Sequence, residues 1–265
     1  VKILKPPLPL IMIILLIILS ACNDGNVKNE AKQEKNKVEL TVSAAASLQD
    51  SLNEIADKYE RKHPDVKITF NYGASGGLQQ QISQGAPVDL FFSAAKDKFE
   101  KLKQDGMISK EIDLLHNNLV LVVPIDDKQS AISFEELPAV KRVAIGFPES
   151  VPAGQYAKET LETMKIWKQL NDHDKLVQGK DVRQVLTYVE TNSVDAGVVY
   201  KTDALVSNKV KIAAVAEERT HSPIVYPVGI IKSSKHQKEA NSFYEFLQSE
   251  NSMKIFGKYG FVRSK

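Results

Sequence analysis

Apolar residues recur along this chain in two rhythms, short runs of strand length and longer stretches at helical spacing. Val38 to Ser43 reads as a strand, and beyond Ser47 the residues Leu48, Leu52, Ile55, Ala56 and Tyr59 fall on one helical face. His63-Pro64 stops that helix. Val66 to Tyr72 alternates as a second strand, Leu78 to Ser83 predicts a short helix, Val88 to Ser93 a buried strand and Lys96 to Gln104 a further helix. This βαβαβα order argues for a mainly parallel, doubly wound α/β sheet, whose ligands sit at the carboxyl ends of the strands.

Asn118 to Pro124 is a continuous apolar run, after which a second alternation begins. It comprises a strand over Arg142 to Phe147, helices over Gly154 to Met164 and Val182 to Glu190, and a strand over Ala196 to Tyr200. Ile224 to Ile231 is another long apolar strand, and helices over Lys238 to Gln248 and Ser252 to Tyr259 close the chain. Two lobes are expected, with the chain crossing between them near Leu119 to Pro124 and again near Ser222 to Val228. Residues 38–122 would form the first part of lobe 1, 123–224 lobe 2, and 225–265 the second part of lobe 1. No internal repeat of fixed period is present.

Ahead of the first strand, Lys2 and Lys5 precede an apolar run from Leu8 to Leu19, so residues 1–21 read as an export signal. The run is too short for a comfortable membrane span. Leu19-Ser20-Ala21-Cys22 resembles the bacterial lipobox, which implies cleavage before Cys22 and a lipid on its sulfur. Cys22 is the only cysteine, which excludes an internal disulfide. The polar stretch that follows makes residues 22–37 a solvated tether. The expected location is therefore the outer side of the cell membrane, held by the Cys22 lipid.

Roughly 230 residues remain beyond the tether, enough for one large domain or two small lobes with real cores. The 35 Lys and Arg nearly balance the 33 Asp and Glu, which leaves no global field for nucleic acid. Any anion specificity has to be local. The five histidines are scattered without ligand spacing, which argues against a zinc site, and no cofactor is expected.

The candidate chemistry sits where strands give way to helices. The first N–H groups of a helix have no intrahelical acceptor and attract anions. Such starts occur at Ala44-Ala45-Ala46-Ser47-Leu48, Gly73-Ala74-Ser75-Gly76-Gly77, Val151-Pro152-Ala153-Gly154 and Asp181-Val182-Arg183. Each has a plain structural reading as well. Ser47 with Asp50 fits a capping box, Ser75 a helix cap, Pro152 a proline-started helix, and Asp181 a cap for Val182. The glycines at 73, 76 and 77 would let a ligand approach the backbone closely. Tyr200 ends a strand, where its hydroxyl aims at a crevice or packs in the core.

Taken together, these segments resemble the molybdate-binding family of ABC-importer substrate-binding proteins over nearly all of residues 38–265. The signatures are the segment around Ser47, Gly85-Ala86-Pro87-Val88-Asp89-Leu90-Phe91 with Ser93-Ala94-Ala95, Val151 to Glu159, Gly197-Val198-Val199-Tyr200, and Ile255-Phe256-Gly257-Lys258-Tyr259-Gly260-Phe261. The resemblance implies a two-lobe, type II periplasmic-binding-protein-like fold with no enzymatic activity. It implies that Ser47 and Ser75 donate to the anion through hydroxyl and backbone, Ala153 and Val182 through backbone N–H, and Tyr200 through its phenol. Molybdate, or tungstate, would be bound through its oxygens without direct metal coordination. A permease with its ATPase would be the partner, and the chain a monomer. Asp89, Asp181 and Arg183 read as caps and scaffold.

A fully deprotonated oxyanion needs only donors, and this set offers only donors; a protonated phosphate would want an acceptor. Sulfate fits the same logic, so a sulfate binder of the same architecture is an alternative. A serine hydrolase using Ser47 is a more distant one, because the Gly-x-Ser-x-Gly context is missing. A structural lipoprotein without a ligand is a third.

Overall fold

The computed structural model describes residues 37–126 and 132–264. The expected signal, Cys22 and the tether up to residue 36 lie outside the described residues. Strand β1 (Val38–Ala45) is buried almost throughout from Leu40 onward, as a central parallel strand covered on both faces should be. A single 3-10 turn over Ala46–Leu48 leads from it into helix α1 (Gln49–Lys62). Leu52, Ile55, Ala56 and Tyr59 form the buried face of α1, matching their helical spacing. Leu52 is fully buried, so truncating it to alanine would cost about 2–5 kcal/mol.

The chain continues through β2 (Val66–Gly73), α2 (Ser75–Ser83), β3 (Leu90–Phe92), α3 (Lys96–Gln104) and β4 (Ile108–His116). It then changes sheets. Strand β5 (Leu119–Pro124) opens the second lobe, followed by β6 (Val143–Gly146), α4 (Pro152–Thr163), α5 (Trp167–Asp172), β7 (Leu176–Gly179), α6 (Val182–Glu190), β8 (Ala196–Tyr200), α7 (Lys201–Leu205) and β9 (Val210–Val215). Strand β10 (Val225–Ile231) returns to the first sheet, and α8 (Gln237–Leu247), α9 (Glu250–Lys258) and β11 (Val262–Arg263) complete it.

The two sheets run β11-β4-β10-β3-β1-β2 and β7-β6-β8-β5-β9. Strand β5 belongs wholly to the second sheet, so the first change of lobe falls at Asn117 and Asn118, not at residue 122. Both sheets are mixed. Parallel pairing is confined to β1 with β2 and β3, and to β6 with β7 and β8. The strands that carry or follow the crossings, β4, β5, β9, β10 and β11, pair antiparallel. The two strands that enter from the other lobe, β5 and β10, thus join their new sheets antiparallel.

Two close approaches fix the packing, one inside the second lobe and one between the lobes. Gly154 of α4 rests on β6 so tightly that a Cβ there would meet the Gly146 carbonyl oxygen at 2.0 Å. Gly76 donates its N–H to the Ser150 carbonyl at 3.0 Å, across from the other lobe, and a Cβ on it would lie 2.7 Å from that oxygen. The glycine expected to admit a ligand thus admits the opposite lobe instead. Gly77 faces open space.

Candidate functional site

The four predicted helix starts converge on one cavity between the sheets. Its lining includes Ser47, Ser75, Ala153, Val182 and Tyr200, so all five residues expected at the site meet there, from both lobes. Ser47 lies in the turn that follows β1, Ser75 is the first residue of α2, Ala153 the second of α4, Val182 the first of α6, and Tyr200 the last of β8. Each is at least 95% buried. The cavity is tight, with a volume of about 10 Å³. Larger clefts of about 840 and 530 Å³ lie elsewhere, lined by residues of both charge signs, and hold none of the expected site residues.

Every polar group presented to this cavity is uncharged, and none of its lining residues is Lys, Arg, Asp or Glu. The backbone N–H groups of Ala153 and Val182 have no acceptor among the described residues. Position explains this, since the acceptors they would need lie before the helix begins. Pro152 occupies the first position of α4, where its missing N–H removes nothing from the helix. Asp181 caps α6 by accepting the Gln184 N–H at 2.9 Å, in line with its reading as scaffold.

The serine hydroxyls depart from the capping roles their sequence context suggests. Ser47 makes no cap bond; its Oγ lies 2.9 Å from the Tyr226 hydroxyl, a residue 179 positions away. Ser75 sits inside the first turn of α2, and its Oγ accepts the Ala94 N–H at 2.9 Å. That bond occupies an acceptor lone pair and leaves the Ser75 hydroxyl hydrogen free to donate. The Tyr200 hydroxyl is 3.5 Å from the Ala94 carbonyl, a long contact that a better acceptor could displace. Burial pushes the Tyr200 and Tyr226 phenols well above the usual tyrosine range, so both stay protonated donors at neutral pH.

The guanidinium that follows Val182 in the chain is engaged by carboxylates. Arg183, next to Val182, reaches Asp50 of α1 at 2.5 Å and Asp203 of α7 at 2.9 Å. Burial works against its charge, and Asp203 and Asp50 outweigh that effect, raising its pKa. Asp203 is fully buried, and desolvation pushes its carboxyl up to about 6 despite the pull of Arg183. This pair of carboxylates commits the guanidinium and also ties the two lobes together. Asp89 is scaffold: its carboxylate accepts the Thr41 N–H at 2.8 Å and the Ser234 hydroxyl at 2.5 Å. Among the described residues no group of three or more His, Cys, Asp or Glu is placed to hold a metal ion, and no helix is long and apolar enough to cross a membrane.

Sequence reasoning missed Tyr226, Asn117, Asp203 and Ser150. Tyr226 was visible only as a phenol inside an otherwise apolar crossing strand, and Asn117 as a polar residue between two apolar runs.

Known proteins resemble this chain in sequence and in fold. A family model described as bacterial extracellular solute-binding protein matches residues 40–262. A putative ABC transporter substrate-binding lipoprotein, YvgL, of Bacillus subtilis is 54% identical over 93% of this chain and 94% of its own length. The molybdate-binding protein ModA of Haemophilus influenzae is 36% identical over 84% of this chain and 89% of its own. The solved substrate-binding domain of a putative molybdenum ABC transporter from Clostridium difficile superposes with a TM-score of 0.67 at 43% identity, covering 86% of this chain and all of that one. The chain belongs to the bacterial extracellular solute-binding proteins, a family of binders and not of enzymes.

Proposed function

We propose that the cavity captures molybdate, and tungstate with it, and that the loaded protein delivers the anion to the permease of an ABC importer driven by its ATPase. The observation that carries this reading is the meeting of Ser47, Ser75, Ala153, Val182 and Tyr200, from both lobes, around one cavity without a charged side chain. The two serines offer hydroxyl and backbone donors, Ala153 and Val182 their N–H groups, and Tyr200 its phenol. Four helix starts add favourable potential for a dianion without the desolvation cost of a buried lysine. Each bond to a charged oxygen contributes about 1.5–3 kcal/mol, so a handful of them reaches submicromolar affinity after the cost of closure.

The cavity is walled by buried residues of both lobes, so the lobes part to admit the anion, pivoting where the chain crosses. The size of the metal oxide relative to sulfate is the basis of selection, because both present four oxygens. The named relatives bear on the wider setting: one is named a putative ABC transporter substrate-binding lipoprotein, another a molybdate-binding protein. A lipid on Cys22 would hold the monomer at the outer face of the membrane, within reach of its permease. Isothermal titration with molybdate, tungstate, sulfate and phosphate tests the reading. Submicromolar binding of molybdate or tungstate, with sulfate weaker by orders of magnitude, is the expected result. No heat and no shift in melting with either metal oxide would remove it, and sulfate binding tightest would move the assignment to sulfate.

A further inference from the structure

A hydroxyl that serves an anion has to send its hydrogen toward it, and Ser47 has two places to send its own. Its Oγ lies 2.9 Å from the Tyr226 hydroxyl, and the geometry allows either oxygen to be the donor. If Ser47 gave its hydrogen to Tyr226, it would turn a lone pair toward the cavity and repel an oxyanion. What lies behind Tyr226 decides the matter.

Asn117 stands at the change of sheet, 8% exposed, and its side chain has one consistent orientation. Its Oδ1 accepts the Asn118 N–H at 2.9 Å, which fixes Nδ2 on the other side. Rotating the amide would set two donors against each other. Nδ2 then donates to the Tyr226 oxygen at 3.1 Å and to the Thr202 Oγ1 at 2.9 Å. Tyr226 stands on β10 of the first sheet and Thr202 on α7 of the second lobe, so the amide spans the crossing. With the Tyr226 oxygen already accepting from an amide, its own hydrogen is available for Ser47.

We infer that Asn117 and Tyr226 are positioning residues for the anion: Asn117 donates to Tyr226, Tyr226 donates to Ser47, and the Ser47 hydrogen is left pointing into the cavity. The inference rests on the reading of the cavity as an oxyanion site. It makes Ser47 the counterpart of Ser75, whose oxygen receives the Ala94 N–H. In both cases a protein donor occupies a serine lone pair, and the hydroxyl hydrogen is left for the cavity. It also makes the chain of donors depend on the lobes' relative position, because Asn117 satisfies both lobes at once.

A double-mutant cycle tests this, with sodium molybdate as the probe and calorimetry as the readout on the chain carrying Ser47→Ala, Tyr226→Phe, or both. Phenylalanine preserves the ring that packs against Tyr200 and Phe261 at 5.7 and 5.3 Å, and a melting curve without anion confirms the fold of each variant. Tyr226→Phe should weaken molybdate binding roughly five- to tenfold in the parent. In the Ser47→Ala background the same change should alter affinity by no more than about twofold, since the group it acts through is gone. Equal losses in both backgrounds would overturn the inference. A second readout separates positioning from structure. Tyr226→Phe frees a Ser47 lone pair to accept from hydrogen phosphate, so phosphate at pH 7 should compete better relative to sulfate than it does in the parent. An unchanged phosphate-to-sulfate ratio would also overturn it. If the parent itself fails to bind molybdate, or Ser47→Ala binds as the parent does, the reading of the cavity falls and the relay with it.

Discussion

The two walls of the cavity reach the same chemistry by different means. On the first-lobe wall, Ser47 and Ser75 present hydroxyls, each touching a second polar group of the protein, Tyr226 or the Ala94 N–H. On the second-lobe wall, Ala153 and Val182 present backbone N–H groups whose direction the helix alone sets. A hydroxyl rotates and needs a partner to aim it; an amide at a helix start needs none. The two serines therefore couple binding to local stability, whereas the two helix-start amides keep them apart.

Val182→Pro is the sharpest way to break the second wall. Proline is favoured at the first helical position, and Asp181 before it already holds extended dihedrals of −156° and 172°. The helix should survive, and only the N–H is lost. Molybdate affinity should fall about 10- to 100-fold by calorimetry, with the unliganded circular dichroism unchanged. On the first wall, Ser75→Ala should weaken binding by about tenfold and also lower the melting point without anion. It removes the acceptor of the buried Ala94 N–H, a loss of about 1–3 kcal/mol. If Ser75→Ala reduces affinity without touching stability, the contrast between the walls fails.

How far the sequence foretold this contrast depends on the range of each interaction. Helix α6 over Val182–Glu190 and strand β8 over Ala196–Tyr200 appear where periodicity placed them, because both are strongly patterned. The five cavity residues were legible through the strand-to-helix junctions, which are local signals. Strand β4 was not, because Lys110, Glu111 and Asp113 break its apolar run; its place between β10 and β11 comes from pairings over a hundred residues away. Gly76 drew notice for the right property and the wrong neighbour, since Ser150 could not be placed beside it from sequence. The pairing of Arg183 with Asp50 spans 133 positions and was equally invisible.

Behind the second wall, Asp203 supplies a prediction in pH. Its folded pKa of about 6 lies above the ordinary 3.8, because burial disfavours the charge. The native state therefore takes up this proton before the unfolded chain does, and stability from this group rises as pH falls from above 6 toward 4. Relative to Asp203→Asn, the parent should gain a few degrees in melting point between pH 7 and pH 5. A constant difference between the two across that range would contradict the burial argument. The smallest effect belongs to Val182→Ala. Only the backbone of that residue faces the anion in this account, so molybdate affinity should stay within about twofold of the parent. A larger loss would mean that the side chain itself shapes the cavity.

The central claim is that uncharged donors from both lobes hold the oxyanion. A crystal structure of the molybdate complex, with the metal located by its anomalous scattering, tests it most directly. The account predicts the metal between the two sheets, its oxygens about 2.7–3.2 Å from donors of Ser47, Ser75, Ala153, Val182 and Tyr200. Metal located elsewhere, or oxygens gripped by a lysine or by Arg183, would contradict it.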